Sequence, residues 1–366
     1  MSFKFWQVAL VLPSVLGCAD VLGMKESASR FDGASPAQKG NSVAIAWMSN
    51  GTTSSFFDTS RNGAGLAAQD LTNSTAYVVN VSITDPANNQ AATQAQRIRD
   101  AVAQHVDALA IDVIDPAVIS PEIDNAVDKG IAVMTFDSDA PGSKRISYYS
   151  MDNQASGAVS AKILTGLMGA KGGSIAIMNK ESPPTAANFI ARRDGFTREL
   201  AKHPGFKVVV DLPCTDGPMG ESTLQAGCTG VLEKAMVDHP EVTGWFLSRG
   251  RVLREATLAT EAPNWTAKVK AGTFFAVSYD AIPESLANIQ AGYVNATIGQ
   301  RYFGWGYDVV SLLFDVATAK RPVNPFTDSG FDVACANNID QISQAWALQN
   351  FSKPIAKCSL AGGEWP

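Results

Sequence analysis

The 366-residue sequence predicts an α/β protein built on two parallel-rich sheets, each flanked by helices. Three observations carry that expectation. From residue 41 onward, short apolar, β-rich runs alternate with amphipathic stretches, the pattern of parallel strands covered on both faces. Ten such runs in one chain are better served by two sheets than by one. Acidic side chains gather just past strand ends, where open parallel sheets bind their ligands. The composition agrees, with 46% apolar and 17% charged residues, enough to bury a sizeable core. With 29 basic against 35 acidic residues and a net charge of −6, there is no basic footprint for nucleic acid. No apolar run long enough for a transmembrane helix follows the N-terminus.

Residues 1–17 read as a signal peptide, with Lys4 as the positive start and a short apolar stretch broken by Pro13. Val15-Leu16-Gly17-Cys18 resembles a bacterial lipobox, in which the cysteine is lipidated, although Leu16 is bulkier than the small residue usual there. Residues 18–40 are rich in Ser, Ala, Gly and Lys without periodicity and suit a tether. Membrane association is therefore expected only through a lipid on Cys18. Of five cysteines, Cys18 is then accounted for. Cys214, Cys228, Cys335 and Cys358 remain, with neighbour pairing (214 with 228, 335 with 358) expected among three connectivities. No CxxC and no histidine cluster favours zinc: His105, His203 and His239 each stand at a helix end before a strand.

The strands expected are 43–48, 77–83, 108–113, 131–136, 146–150, 174–178, 207–212, 244–248, 273–278 and 294–298. Between them, Ala91, Ala95, Ile98, Val102 and Val106 form one helix face at spacings of three and four. Further helices are expected over 122–129, 153–167, 188–202, 221–238 and 301–320. Asp112 falls inside its expected strand, whereas Asp137, Asp139, Asp152 and Asp280 follow theirs. Asn153, Arg192, Arg249 and Gln300 stand at strand or helix edges, and Phe56-Phe57 lies in the loop after the first strand. Fixed donors and acceptors with aromatic faces suit a polar, uncharged ring. Each residue also has a plainer reading: Asp137 as a helix cap, Arg192 in a surface ion pair, Phe56 in the core.

These residues in order resemble periplasmic sugar-binding proteins of the ribose-binding (type I) class. The resemblance rests on Phe56-Phe57, the Gly65…Ala68 helix, Gly130-Ile131-Ala132-Val133, Phe136-Asp137-Ser138-Asp139-Ala140-Pro141 and Asp152-Asn153…Gly157. It continues through Asn188…Arg192-Arg193-Asp194-Gly195-Phe196, His239-Pro240-Glu241-Val242, Tyr279-Asp280…Pro283-Glu284 and Ala296-Thr297-Ile298-Gly299-Gln300. It spans about residues 43–320, with no single motif specific and the order specific together. The resemblance implies a two-lobed venus-flytrap fold of the type I periplasmic-binding-protein kind with a three-segment hinge, closing on a monosaccharide or polyol for the membrane permease of an ABC importer. The chain is expected to be a monomer that is not an enzyme and needs no cofactor or metal. The implied lobes are 41–150 plus 301–325, and 151–300 plus 326–366. By family position Phe56 and Phe57 stack on the sugar, Asp137 and Asp280 accept hydroxyl protons, Arg192 donates, and Asn153 and Gln300 stand at the hinge side.

The departures bear on the ligand. Ser54-Ser55 stands where the family often has Asn before the aromatic pair, and Ser138 replaces an Arg. Ser248-Arg249-Gly250 replaces Asn-Asp, and an inward Arg249 suits an acidic sugar. No aromatic is evident near Asp216, leaving Trp47 or Trp305 as candidate stacking rings. Among rival functions, Gly63-Ala64-Gly65-Leu66-Ala67-Ala68 with Asp85 fits a dinucleotide fingerprint, but the glycines start about fifteen residues after the first strand. No GxSxG elbow or Walker loop is present, and Asp137 with Asp139 is the only carboxylate pair suggestive of catalysis. The residues before the first strand hold no helix-turn-helix module, which excludes a transcription regulator. A sensory module for a chemoreceptor or kinase would carry the same binding chemistry.

Overall fold

The computed structural model describes residues 41–51, 57–179, 187–213, 228–250, 262–319, 321–347 and 355–366. The expected leader and tether, together with Cys18, Ser54, Phe56 and Cys214, lie outside them. The strands are β1 (Asn41–Met48), β2 (Tyr77–Ile83), β3 (Ala108–Ile111), β4 (Ala132–Phe136), β5 (Ser147–Ser150), β6 (Gly173–Asn179), β7 (Phe206–Pro213), β8 (Val242–Leu247), β9 (Phe275–Tyr279), β10 (Ala296–Gln300), β11 (Phe326–Asp328), β12 (Phe331–Cys335), β13 (Cys358–Leu360) and β14 (Gly363–Trp365). The helices among the described residues are α1 (Asp58–Ser74), α2 (Ala91–Ala103), α3 (Pro116–Asp128), α4 (Asn153–Met168), α5 (Ala187–Leu200), α6 (Cys228–Asp238), α7 (Pro263–Lys270), α8 (Pro283–Gln290), α9 (Tyr302–Ala319) and α10 (Ile339–Ala347).

Two six-stranded sheets result, ordered β11-β5-β4-β3-β1-β2 and β12-β10-β9-β8-β6-β7. Every pairing in the first is parallel; in the second only β12 runs antiparallel, against β10. Central strands such as β3 and β10 are buried along their whole length, as parallel strands covered on both faces must be. Helices α1 and α9 cover one face of the first sheet, and α2 and α3 the other. Helices α4 and α5 cover one face of the second, and α6, α7 and α8 the other. The predicted face of α2 is the one that packs, with Ala95, Ile98 and Val102 buried. The glycines of the dinucleotide-like run lie inside α1, where a Cβ on Gly63 would strike the Phe303 carbonyl of α9. Asp85 is bonded to Ser49 and Arg61 rather than poised for a ribose. Those residues serve packing and loop anchoring.

The chain crosses between the sheets three times: after β5, after β10, and between β11 and β12. The third passage falls at Ser329-Gly330. It is later than the boundary expected at 325/326, because Phe326–Asp328 pairs with β5 and the Phe326 ring lies 5.8 Å from that of Tyr148. The crossings are tied together, since Ser329 N–H donates to the Ser150 carbonyl (2.9 Å) and Asp152 N–H to the Asp328 carboxylate (3.2 Å). Two expected element ends also move. α3 starts at Pro116 rather than near 122, since the Asp115 carboxylate caps the Ala117 N–H at 2.9 Å. β3 stops at Ile111 because the Val113 N–H turns to the Ser138 carbonyl. Cys335 and Cys358 form a disulfide linking β12 to the C-terminal β13–β14 hairpin. Cys228 is also disulfide-bonded.

Candidate functional site

Because β5 and β10 run into crossings at their carboxyl ends and the strands beside them are parallel, both sheets point those ends toward the connections. The residues just beyond them form the candidate site. In each sheet the strand third in order ends on an aspartate: Asp137 after β4 and Asp280 after β9. Both have left-handed backbone, φ 54° and 69°, a conformation few non-glycine residues adopt. Both are nearly buried, at 8% and 4% exposed.

On the second-sheet side Arg192 is the organising group. It projects from α5, is 2% exposed, and donates from Nε to Asn153 Oδ1 (2.8 Å), from Nη1 to the Ser248 carbonyl (3.0 Å) and from Nη2 to Gln300 Oε1 (3.0 Å). Its guanidinium lies 4.2 Å from the centroid of the Tyr279 ring. Gln300 passes the network on, donating from Nε2 to Asp280 Oδ1 at 2.9 Å. Asp280 also accepts from the Tyr302 hydroxyl (3.2 Å) and from Gly250 N–H, at Oδ2 (3.0 Å). One chain of hydrogen bonds thus joins α4, α5, β10 and the ends of β8 and β9. Close helix packing makes it reachable: a Cβ on Gly157 of α4 would strike the Arg192 carbonyl, and one on Gly195 of α5 the Gln154 carbonyl. Burial raises the Tyr279 hydroxyl above its ordinary range, so it stays a neutral platform.

On the first-sheet side the two acids of the Phe136–Pro141 stretch differ. Both Asp139 oxygens are engaged: Oδ1 by Thr135 Oγ1 (2.6 Å), Ala140 N–H (2.8 Å) and Arg145 Nε (2.5 Å), and Oδ2 by Arg145 Nη2 (2.6 Å). That pair braces the loop carrying Asp137, whose carbonyl accepts from the Tyr148 hydroxyl at 2.5 Å. Burial pushes that hydroxyl up as well. Asp112, expected within its strand, stands just past it and is fully buried. Its Oδ1 accepts from Ser138 N–H at 3.2 Å, while its Oδ2 has no partner among the described residues. Burial first, and the charge of Asp137 second, hold its carboxyl well above the usual range. Asn179, at the end of β6, likewise has an Oδ1 without a partner among the described residues, its amide nitrogen being bonded to Asp211 (3.0 Å).

Phe57 is 2% exposed at the head of α1, its ring 6.0 Å from that of Trp305. Trp47 and Trp305 are not stacking rings for a ligand. Both are fully buried, Trp47 stacks on Phe136 at 4.9 Å, and its Nε1 donates to the Trp305 carbonyl at 3.0 Å. Arg249 lies half-buried in the bend after β8. Asp152 caps α4 through Ala155 N–H (2.9 Å). Tyr279, Tyr302 and Asn179 were not read as site residues from the sequence, and Asp112 was read as part of its strand. The only available signal was position, and only for Asn179, which ends an apolar run as Asp137 does. Among the described residues no group of three or more His, Cys, Asp or Glu side chains is placed to hold a metal ion. A cavity of about 1150 Å³ opens at the opposite end of the first sheet, lined by His105, Lys129, Ile146 and Arg321 among others, and shares no residue with this site.

A polar constellation between the carboxyl ends of two parallel sheets, with three crossings behind it, defines a two-lobed ligand-binding protein. Residues 45–321 match the periplasmic binding protein domain, and the chain belongs to that family. It is 27% identical over 217 residues to the ribose import binding protein of Bacillus subtilis (strain 168), covering 59% of this chain and 64% of that one, just under two thirds of its length. It is 24% identical over 307 residues to the xylose/arabinose-binding protein of Sulfolobus acidocaldarius, covering 78% and 70%. Among solved structures, an ABC transporter solute binding protein from Burkholderia graminis C4D1M in complex with D-arabinose superposes with a TM-score of 0.71 at 28% identity, over 81% of this chain and 96% of that one. The fold is that of the type I periplasmic binding proteins.

Proposed function

We propose that this chain captures a monosaccharide or related polyol between its two lobes and delivers it to the membrane permease of an ABC importer. The observation that carries this reading is the Arg192 network, in which one buried cation is hydrogen-bonded to the amides of Asn153 and Gln300, and Gln300 to Asp280. A cation, two amides and a carboxylate held together offer fixed donors beside fixed acceptors, which suit a small, hydroxyl-rich ligand. The names of its relatives point the same way: ribose, xylose or arabinose binding, and a D-arabinose complex. In this reading Asp137 and Asp280 accept hydroxyl protons, Arg192 donates, Asn153 and Gln300 orient Arg192, and Phe56 and Phe57 lie against the sugar with Ser54. Asp139 acts through Arg145 as a brace, and Arg249 stands at the rim. The lobes are 41–150 with 301–328, and 151–300 with 331–366.

A ligand touching both lobes binds the closed arrangement better and so closes the cleft, the rotation falling on the three crossings. The family consists of binding proteins, and the carboxylates serve here as acceptors rather than catalysts. An exported location follows from the family, with a lipid on Cys18 as the anchor. No helix among the described residues is long and apolar enough to cross a membrane.

The test is a thermal-shift and calorimetric screen of the purified protein against D-ribose, D-arabinose, D-xylose, D-allose, xylitol, sugar acids and amino acids. A ligand at a hundred times its Kd adds about 2.7 kcal/mol of stability, a shift of a few degrees. Binding of a neutral sugar or polyol is expected. Silence from every sugar with a response to an amino acid would overturn the reading.

A further inference from the structure

Trp346 stands outside residues 45–321, the stretch matched to the family domain, yet its contacts lead to the site. It lies in the last turn of α10, in a loop closed at its base by the Cys335–Cys358 disulfide. Asn338 ties the same base, donating from Nδ2 to the carbonyls of Val333 (2.7 Å) and Ala356 (2.9 Å). Ile339 and Ile342 of α10 are buried with Leu286 and Ile289 of α8, which sets the last turn of α10 beside the end of β9. Two contacts of the buried Trp346 bear on Asp280. Its Nε1 donates to the Ala281 carbonyl at 2.5 Å, and its ring lies 5.4 Å from that of Tyr302.

Both partners support Asp280. Ala281 follows it directly, inside a turn closed by Ile282 N–H on the Asp280 carbonyl at 2.8 Å. The Tyr302 hydroxyl donates to Asp280 Oδ1 at 3.2 Å, beside Gln300 Nε2. Asp280 needs such support, since its left-handed backbone (φ 69°) is kept by a non-glycine residue only where the surroundings over-determine it. A tryptophan that served the core alone would need only some acceptor for its N–H. Here the acceptor is the peptide next to Asp280, and the ring it meets belongs to a residue bonded to the Asp280 carboxylate. Tyr302 is itself fixed on the other side. Its carbonyl accepts from Ser60 Oγ of α1 at 2.7 Å, and its ring meets Trp305 edge-on at 4.9 Å. A change at Trp346 is therefore passed to Asp280 rather than absorbed by Tyr302.

We propose that Trp346 and Tyr302 are positioning residues for sugar capture: the indole holds the Asp280 turn through the Ala281 carbonyl, the phenol holds the carboxylate, and neither touches the ligand. The C-terminal loop closed by the disulfide is then part of the binding apparatus as well as a fastening of the second sheet. This inference rests on the sugar reading above, with Asp280 as a hydroxyl acceptor.

The experiment is a pair of double-mutant cycles, read by calorimetric titration of the full chain with D-ribose, D-arabinose, D-xylose and D-allose. The proteins are wild type, Trp346→Phe, Tyr302→Phe, Asp280→Ala, and each aromatic variant combined with Asp280→Ala. Trp346→Phe keeps a ring against Tyr302 and loses the N–H; Tyr302→Phe keeps its ring and loses the hydroxyl. For the sugar that wild type binds most tightly, each aromatic variant alone is expected to raise Kd about fivefold, the effect of one hydrogen bond. In the Asp280→Ala background the same substitutions are expected to change Kd by less than about twofold, because the carboxylate they position is gone. A merely structural role gives the same loss in both backgrounds and overturns the proposal. So does a wild-type Kd in either aromatic variant, or in Asp280→Ala. Circular dichroism and Tm establish that each variant folds, and if Trp346→Phe does not, the Tyr302→Phe cycle decides by the same outcomes. Each of these results leaves the sugar reading intact, whereas failure of all four sugars to bind wild type overturns both.

Discussion

Asp137 and Asp280 are counterparts: each follows the strand third in order in its sheet, and each holds a left-handed backbone conformation. Such strain of order 1–3 kcal/mol persists only where the surroundings over-determine it. For Asp280 those surroundings are visible, since Gln300 and Tyr302 donate to Oδ1 and Gly250 N–H to Oδ2. Asp280→Ala removes that acceptor and leaves three donors behind. Sugar affinity is expected to fall ten- to hundredfold, corresponding to one charge-assisted bond of about 1.5–3 kcal/mol. Calorimetry of the variant checks this, and wild-type affinity would remove Asp280 from the site.

Arg192 binds three acceptors on three different elements and lies on Tyr279. A lysine there has one ammonium and no planar fork, so it cannot reach Asn153, Ser248 and Gln300 together. Arg192→Lys is expected to lower Tm by several degrees and to weaken sugar binding by at least tenfold. A scan of Tm beside a titration separates the two effects, and a variant with unchanged Tm would show that the network contributes little to the fold.

Much of this was legible in the sequence, and the reasons for the remainder are physical. Periodicity alone located the α2 face, because Ala95, Ile98 and Val102 must meet a sheet whichever way the chain winds. Asp137 and Asp280 were visible because a carboxylate after an apolar run is conspicuous. Asp112 was hidden because Val113 continues the apolar run, and only the bond from Val113 N–H to Ser138 ends the strand one residue before Asp112. The roles of Asp137 and Asp139 could not be told apart by spacing: it takes Arg145, six residues on, to engage both oxygens of Asp139. Trp47 and Trp305 invited a ligand role by type, and their burial is decided by long-range packing of α9 on β1 that no local window contains.

Gly157 and Gly195 allow α4 and α5 to approach until backbone meets backbone. A methyl group at 157 has no flexible side chain to displace, only backbone: the Arg192 carbonyl and the Phe196 nitrogen. Gly157→Ala is therefore expected to cost about 3 kcal/mol, at the upper end for overpacking, and to weaken sugar binding as Asn153 and Arg192 are pushed apart. Gly306→Ala is the contrast, since its methyl would strike the Ser60 carbonyl in the first lobe, away from Arg192. A similar loss of Tm with a smaller loss of affinity is expected there. Equal losses of affinity in the two would refute the local account.

The Cys335–Cys358 disulfide spans a sequence separation of 23 and fastens the C-terminal hairpin beside β12. Constraining a loop of that length in the unfolded chain is worth about 3 kcal/mol. Replacing both cysteines by serine is expected to lower Tm by several degrees. Because β12 follows the third crossing, amide exchange in β12–β14 should rise before that in β8 or β9. Uniform exchange across the second sheet would instead make the hairpin part of one cooperative unit.

Asp112 also sets a direction for stability against pH. Its folded carboxyl is held above its unfolded value, so the folded state binds the proton more tightly. Below the ordinary carboxylate pKa of about 3.9 both states are neutral there and the residue has no pH effect. As pH rises past that value the unfolded chain ionises first, and stability falls by up to about 1.4 kcal/mol per unit until the folded carboxyl titrates too. Asp112→Asn lacks this loss. The Tm of the variant minus that of wild type, measured without ligand, is therefore expected to be smallest near pH 4 and to grow toward neutral pH. A difference that stays constant across that window would mean that the Asp112 carboxyl ionises as readily in the folded protein as in the unfolded chain.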